Sequence, residues 1–510
     1  MRFSKLAILA SALSLAAMPA FAQKSADTIR LAINNPFAIL SNYDLPVDEG
    51  SIFTREIYEH LLYLDERTQK FVPGLAKSWK RIDDKTIEYE LRQDIKFHNG
   101  NPLDANDVKA TMDYAIDPKS KITFVANYNW VKEVEVLGPH TLRVRSHDVQ
   151  STDLALMSYR FQVFDSRILN KLADKADYGR LHPVGTGIYK VTQFDPNRGL
   201  IVERYEEYKT NPERKKAHIK RVHGVWLPDK QTQSAQMMVG GVDLLRNVEP
   251  ELAKALSENP KIGVTYVPEM NLLYFALDSQ NLSGNKALSD PRVRRAIHMG
   301  IDREMIIKHI VPGGHVAEWL DADCFKNTIA CKSTVKPAPY DPAGAKKLLA
   351  EAGYPNGLDL HYVIYAPNKS IGEAVAGELY KIGVRVNLQA TDIALYRRML
   401  GDGKLQAWSI LFPTGLFPDA SGIMNVLFTG PANKYFNDPI INKAIEDGVK
   451  EFDPAKRADI YAKAFDRINE MAYHLPLTSV PTVYVHSKDV EIKENPFSAG
   501  QTFVGDYAWK

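Results

Sequence analysis

Residues 287–307, ALSDPRVRRAIHMGIDREMII, decide how this chain is read. Asp290 carries a side chain suited to capping a helix, and Pro291 follows at the helical position where a missing N–H costs nothing. Val293, Ala296, Ile297 and Gly300 recur at helical spacing, which turns one face inward and leaves Arg292, Arg294 and Arg295 expected on the wet face. Asp302 reads as the cap of a second helix. On physics alone, two amphipathic helices adjoin here.

The text on either side alternates between strand and helix. Residues 340–353 (YDPAGAKKLLAEAG) form a capped helical pattern with a glycine stop; 361–365 and 384–388 read as strands, 371–381 and 393–401 as helices. Such alternation argues for an α/β domain with a largely parallel sheet. A long helix is expected over 454–472, capped by Asp453, and a closing strand over 482–486. Upstream, Ile87, Tyr89 and Leu91 alternate with Glu88, Glu90 and Arg92 as in a half-buried strand, Asn99-Gly100 marks a turn, and Asp104 with Asp107 opens a helix. PVGTG at 183–187 reads as a backbone crossover between domains; its lone G-x-G runs into a strand, unlike a phosphate-binding loop.

Residues 1–22 read as a removable export signal: Arg2 and Lys5 form a basic start, 6–17 a short apolar run, and Ala20-Phe21-Ala22 a cleavage site, with the cut expected after Ala22. The remaining chain has no stretch long and apolar enough to span a membrane. With 510 residues, 45% of them apolar, it can bury more than one core, and two or three domains are expected. The balance of 64 Lys+Arg against 62 Asp+Glu gives no electrostatic footprint for nucleic acid. Cys324 and Cys331, in DCFKNTIAC, are expected to form a local disulfide once exported. The 13 His residues are scattered; His98 in KFHNG reads as a structural hydrogen bonder. No G-x-S-x-G, H-E-x-x-H or Walker loop is present, and neither an enzyme, a metal site nor a cofactor is expected.

The opening phrase resembles the D-x-R-V-R-x-A … I-D-R signature of family 5 extracellular solute-binding proteins, the dipeptide, oligopeptide and nickel receptors of bacterial ABC importers. VPGLAKSW (72–79), KFHNGNPLDANDV (96–108), HPVGTGIYKV (182–191) and YDPAGAKKLLAEAGYPNG (340–357) resemble the same family, in its order. The resemblance implies the α/β type II periplasmic-binding-protein fold of the peptide/nickel cluster, two lobes joined by a hinge plus an extra domain. In that plan 23–57, 186–267 and 481–510 make lobe one, 58–185 the added domain and 268–480 lobe two. It also implies a monomeric periplasmic receptor that closes on a small-molecule ligand and delivers it to an inner-membrane ABC permease.

In peptide-binding relatives, lobe two carries a segment of the form G-W-x-x-D-x-x-D-P-D whose first Asp grips the peptide amine. The matching stretch here is ILFPTGLFPD (410–419): Pro418 and Asp419 agree, but Thr414 stands at the amine-binding position and Leu411 replaces the Trp. A buried ammonium without a carboxylate keeps its desolvation cost, so a free peptide N-terminus is a poor fit. Lys369 stands at or beside the position where dipeptide receptors place a carboxylate-binding Arg. Phe37, Tyr43, Tyr128, Trp130, Tyr274, Trp408, Phe412 and Phe417 are the candidate cleft aromatics, and Asn35, Asp48, Asp278 and Asp419 the candidate polar contacts. The expected ligand is a small polar organic solute such as a modified peptide, an opine-like conjugate or a glycoside. An unmodified di- or oligopeptide is the alternative, ahead of a sensory partner protein or a secreted enzyme on the same scaffold.

Overall fold

The computed structural model describes residues 24, 26–44, 48–120, 122–123, 125–209, 217–413, 419–493, 495 and 501–510. The stretch read as an export signal lies outside them, as do Thr414, Phe417 and the side chain of Asp48. Among the described residues no helix is long and apolar enough to cross a membrane.

The opening phrase folds into two helices, Pro291–Met299 and Arg303–His309. Asp290 accepts a hydrogen bond from the Arg292 N–H at 2.8 Å and Asp302 one from the Met305 N–H at 2.9 Å. Val293, Ala296 and Ile297 are buried. The expectation for the arginines is corrected at one position: Arg294 is only 1% exposed. Its guanidinium donates to the carbonyls of Leu288, Ser289 and Met471 and lies over the Tyr473 ring, so a charge placed on the inward half of the helix is satisfied by loop carbonyls.

These helices cover a five-stranded sheet ordered Val384–Thr391, Leu358–Tyr365, Ala407–Pro413, Asn271–Leu277 and His474–Ser479. One face packs Val293, Ile297, Ile306, Leu349, Val375 and Leu379; the other packs Met424, Ile441, Tyr461 and Phe465. A seven-stranded sheet runs Ile262–Val267, Thr482–Ser487, Leu244–Arg246, Thr28–Ile33, Arg221–Trp226, Gly199–Arg204 and Tyr189–Asp195. Contrary to a largely parallel expectation, both sheets are mixed. Leu358–Tyr365 runs parallel to both its neighbours and Thr28–Ile33 to both of its own, while the other neighbouring pairs are antiparallel because hairpins and returning strands make them.

A third, antiparallel sheet of four strands (Ala76–Asp83, Thr86–Leu91, Thr141–Ser146, Val131–Gly138) carries the helix Ala105–Ile116, whose Asp104 and Asp107 form a reciprocal capping box. It joins the seven-stranded unit at the PVGTG crossover. A Cβ on Gly185 would sit 1.9 Å from the Ile57 carbonyl oxygen and one on Gly187 2.2 Å from that of Glu56, so only glycine lets these backbones meet. His98 seals the junction, its Nδ1 accepting from the Gly185 N–H and its Nε2 meeting the Gly187 carbonyl.

Two chain segments cross between the seven- and five-stranded sheets side by side, one at 268–270 and the other at 480–481. The Val480 N–H donates to the Asn271 carbonyl at 2.8 Å, tying the crossings together.

Candidate functional site

At the crossings a buried polar knot joins the sheets. Glu269 pairs with Arg246 at 3.1 Å and accepts from the Thr482 hydroxyl at 2.7 Å, the Tyr484 hydroxyl at 3.3 Å and the Thr502 N–H at 3.2 Å. The segment beginning at Gln501 leads outward to the helix Asp48–Ile57: Gln501 donates to Ser51, and Phe503 lies under the Arg55 guanidinium at 5.3 Å.

Arg55 stands in turn 4.2 Å over the Tyr159 ring. The next residue, Arg160, ends the helix Asp153–Tyr159. That helix begins against the five-stranded unit, where the Ser151 N–H and hydroxyl donate to the carbonyls of Val449 and Gly448 at 2.8 and 3.0 Å, and Arg81 bridges Asp153 and the Phe452 ring. Arg160 is half-buried, its Nε has no hydrogen-bond partner, and no carboxylate of the described residues pairs with it. Burial pulls this guanidinium below its ordinary pKa, and the charge of Arg55 acts in the same direction. The Arg160 guanidinium lies over the same Tyr159 ring at 5.5 Å, so two guanidiniums meet at one aromatic side chain. Sequence reasoning missed it. Its signal was there, an arginine inside LALMSYRFQVF with apolar text on both sides.

The residues expected from sequence divide into two groups. Phe37 packs among Phe53, Phe194 and Trp226. Tyr43 and Tyr128 join Tyr114, Phe161 and Phe164 in one aromatic cluster, and the Tyr43 hydroxyl donates to the Gln162 carbonyl. Tyr274 stacks on His474, and Trp408 packs against Tyr435 and Phe436. These five rings pack into apolar or aromatic clusters in this structure, each at most 4% exposed. Asp278 is also buried, accepting from the N–H groups of Gln280 and Ser283, which makes it a loop anchor. Asp419 caps the helix Ala420–Phe428 and pairs with buried Arg457 at 2.8 Å. Both carboxylates are thus consumed internally.

The remaining candidates keep surface. Asn35 is exposed and donates to Glu49 at 2.8 Å; Trp130 and Phe412 are half-buried. Lys369 opens the helix Lys369–Lys381, exposed, and pairs with Glu373 one turn on at 3.1 Å. Thr414, Phe417 and the Asp48 side chain lie outside the described residues. Cys324 and Cys331 form the disulfide, with Cα atoms 5.9 Å apart. Among the described residues no three His, Cys, Asp or Glu side chains come together as a metal site.

The profile of bacterial extracellular solute-binding proteins, family 5 (middle), matches residues 70–435. The chain belongs to this family. Its members bind small solutes or peptides and deliver them to ABC permeases. Over 504 residues the chain is 26% identical to the glutathione-binding protein GsiB of Salmonella paratyphi A, covering 95% of this chain and 94% of that one. It superimposes on the ABC transporter substrate-binding protein CtaP of Listeria monocytogenes with a TM-score of 0.82 at 20% identity, over 94% of this chain and 99% of CtaP. On NikA of Brucella suis in complex with Fe(III)-EDTA the TM-score is 0.80 at 21% identity, over 95% of this chain and 100% of NikA. At these identities the likeness is one of fold, and the fold is the two-lobe fold of family 5 binding proteins.

Proposed function

We propose that this family 5 protein is the periplasmic receptor of an ABC importer for a small polar organic solute that carries a carboxylate, such as a modified peptide or an opine-like conjugate. It captures the solute between a lobe built on the seven-stranded sheet (23–57, 186–267, 481–510) and one built on the five-stranded sheet (268–480), the added domain 58–185 contributing one wall. The mature chain starts after Ala22 and acts as a monomer without a cofactor.

The observation that carries the ligand class is Arg160. Arg160 is a half-buried guanidinium with the charge of Arg55 beside it and no carboxylate partner among the described residues, a costly arrangement that an incoming carboxylate relieves. The name of the relative GsiB points the same way, because glutathione is a peptide with a γ-linkage and two carboxylates. Thr414 in place of the amine-binding Asp argues against an ordinary peptide N-terminus, which leaves unmodified di- and oligopeptides as the second reading. A glycoside without an anionic group would leave Arg160 unanswered.

The deciding experiment is a thermal-shift screen of the mature protein against glutathione, opines, plain dipeptides and neutral glycosides, since a ligand that binds only the native state raises the melting temperature. Stabilisation by a carboxylate-bearing conjugate, lost in Arg160→Ala, is the expected result. A neutral glycoside that stabilises both proteins equally would overturn the assignment of Arg160, and product formation from a bound compound would overturn the non-catalytic role.

A further inference from the structure

The disulfide loop stands at a junction that its sequence does not advertise. Its ring holds Ala330 in the left-handed region, at φ +61°, where an L side chain is strained, so the closed loop enforces a backbone that an open one would leave. At the residue before Ala330 the loop reaches across the five-stranded unit. Ile329 makes a parallel bridge to Asp419, and its carbonyl accepts from the Ala420 N–H at 2.9 Å. Asp419 is fixed from three directions: by this bridge, by capping the Ser421 N–H at 2.9 Å and by the buried Arg457. Residues 410–419 are the stretch whose departures from the peptide-binding pattern bear on ligand choice, and Asp419 is its end.

The same loop also meets the other side of the molecule. The Lys326 carbonyl accepts from the Gln69 amide, and Leu64 and Phe71 of the hairpin Leu62–Pro73 pack into the apolar cluster that holds Phe325 and Ile329. On its N-terminal flank Asp323 is locked to His474 of the five-stranded sheet at 2.8 Å, both side chains buried. The loop is therefore anchored to the sheet at one end. Its free face touches both the exit of the 410–419 stretch and the hairpin of the added domain.

We infer that the Cys324–Cys331 loop is a positioning element for solute capture: it sets where Asp419 and the helix Ala420–Phe428 begin, and it offers the hairpin Leu62–Pro73 a rigid surface to close on. This rests on the reading of the chain as a solute receptor. The bond closes a short ring, with its cysteines 7 positions apart, so its effect on the unfolded chain is small and its effect on local geometry is the larger one.

The test is the double variant Cys324→Ser/Cys331→Ser, compared with wild type by hydrogen exchange without ligand and by calorimetric titration with S-methylglutathione, a carboxylate-bearing peptide with no free thiol to attack the disulfide. The expected result is exchange about tenfold faster at Ala420 and the first turn of Ala420–Phe428, unchanged exchange in Pro291–Met299, and a Kd about tenfold weaker. Unchanged exchange at 420–424, or an equal acceleration across the whole five-stranded unit, would overturn the inference. Should the wild type fail to bind the probe, the receptor reading for that ligand class is what fails, and the exchange result still decides the positioning role. Phe71→Ala keeps the disulfide and addresses the hairpin contact if the double variant does not fold: weaker binding with normal exchange at Ala420 supports the contact, and unaltered binding removes it.

Discussion

Glu269 and Arg246 form an ion pair at 3.1 Å that is almost closed to solvent, at the point where the chain passes between the two large sheets. Removing the carboxylate takes a counter-charge from the buried Arg246 guanidinium and an acceptor from Thr482, Tyr484 and the Thr502 N–H. Glu269→Ala is expected to lose about 3–5 kcal/mol of stability, and Glu269→Gln less, because the amide still accepts hydrogen bonds. Urea unfolding followed by tryptophan fluorescence measures both; equal values for the two variants would deny the charge its part.

Arg160 offers the opposite outcome. Its guanidinium has no carboxylate among the described residues, so Arg160→Ala is expected to leave the melting temperature unchanged or slightly higher. It is also expected to weaken binding of a carboxylate-bearing solute by roughly 10- to 100-fold, the range for a charge-assisted bond of about 1.5–3 kcal/mol. Calorimetric titration separates these effects. A large drop in stability with intact binding would make Arg160 structural.

Thr414 carries a prediction from sequence alone. Thr414→Asp places a carboxylate where the family resemblance implies one that grips a peptide amine, and is expected to improve binding of simple dipeptides by about tenfold or more. Thermal shifts with a dipeptide panel check it; no gain with any dipeptide would deny this position the amine-binding role.

Two imidazoles give the fold an acid limit. Burial pushes His98 down to about 4 and His298 down to about 3, with Arg294 adding to the effect at His298. Unfolded histidine titrates near 6.5, so below that pH the unfolded chain binds protons that the folded chain refuses. Stability from these groups is complete above roughly pH 6.5 and falls as the pH drops towards 4, by about 2 kcal/mol per histidine at about pH 5. His298→Leu is expected to flatten this slope by its share. An unchanged slope in urea midpoints measured between about pH 7 and 5 would show that His298 is not buried neutral.

What the sequence made legible was local. Asp290, Asp302, Asp104 and Asp453 act within three residues of themselves, and each caps the helix its position suggests. Glycine spacing at 185 and 187 marked a crossover because steric exclusion is also local. Arg294 was misjudged because its satisfaction comes from Met471, 177 positions away. Tyr43 and Tyr128 are amphipathic enough for a cleft wall or a core, and it is the approach of Tyr114, Phe161 and Phe164 that packs them into an aromatic cluster. Arg160 stands out because no carboxylate of the described residues pairs with it, and that is a property of the fold, not of a residue string.

The strand Thr482–Ser487 lies between Leu244–Arg246 and Ile262–Val267. A chain delivered from its N-terminus therefore holds an open slot in the seven-stranded sheet until residues 482–487 arrive, whereas every strand of the five-stranded sheet, from Asn271 to Ser479, has by then been supplied. The order of assembly is set by topology: the second unit can consolidate first, and the first is finished by threading a late strand between two early ones. Such distant pairing is slow, and of the early strands it is Ile262–Val267 that waits for it, since the other five already neighbour one another.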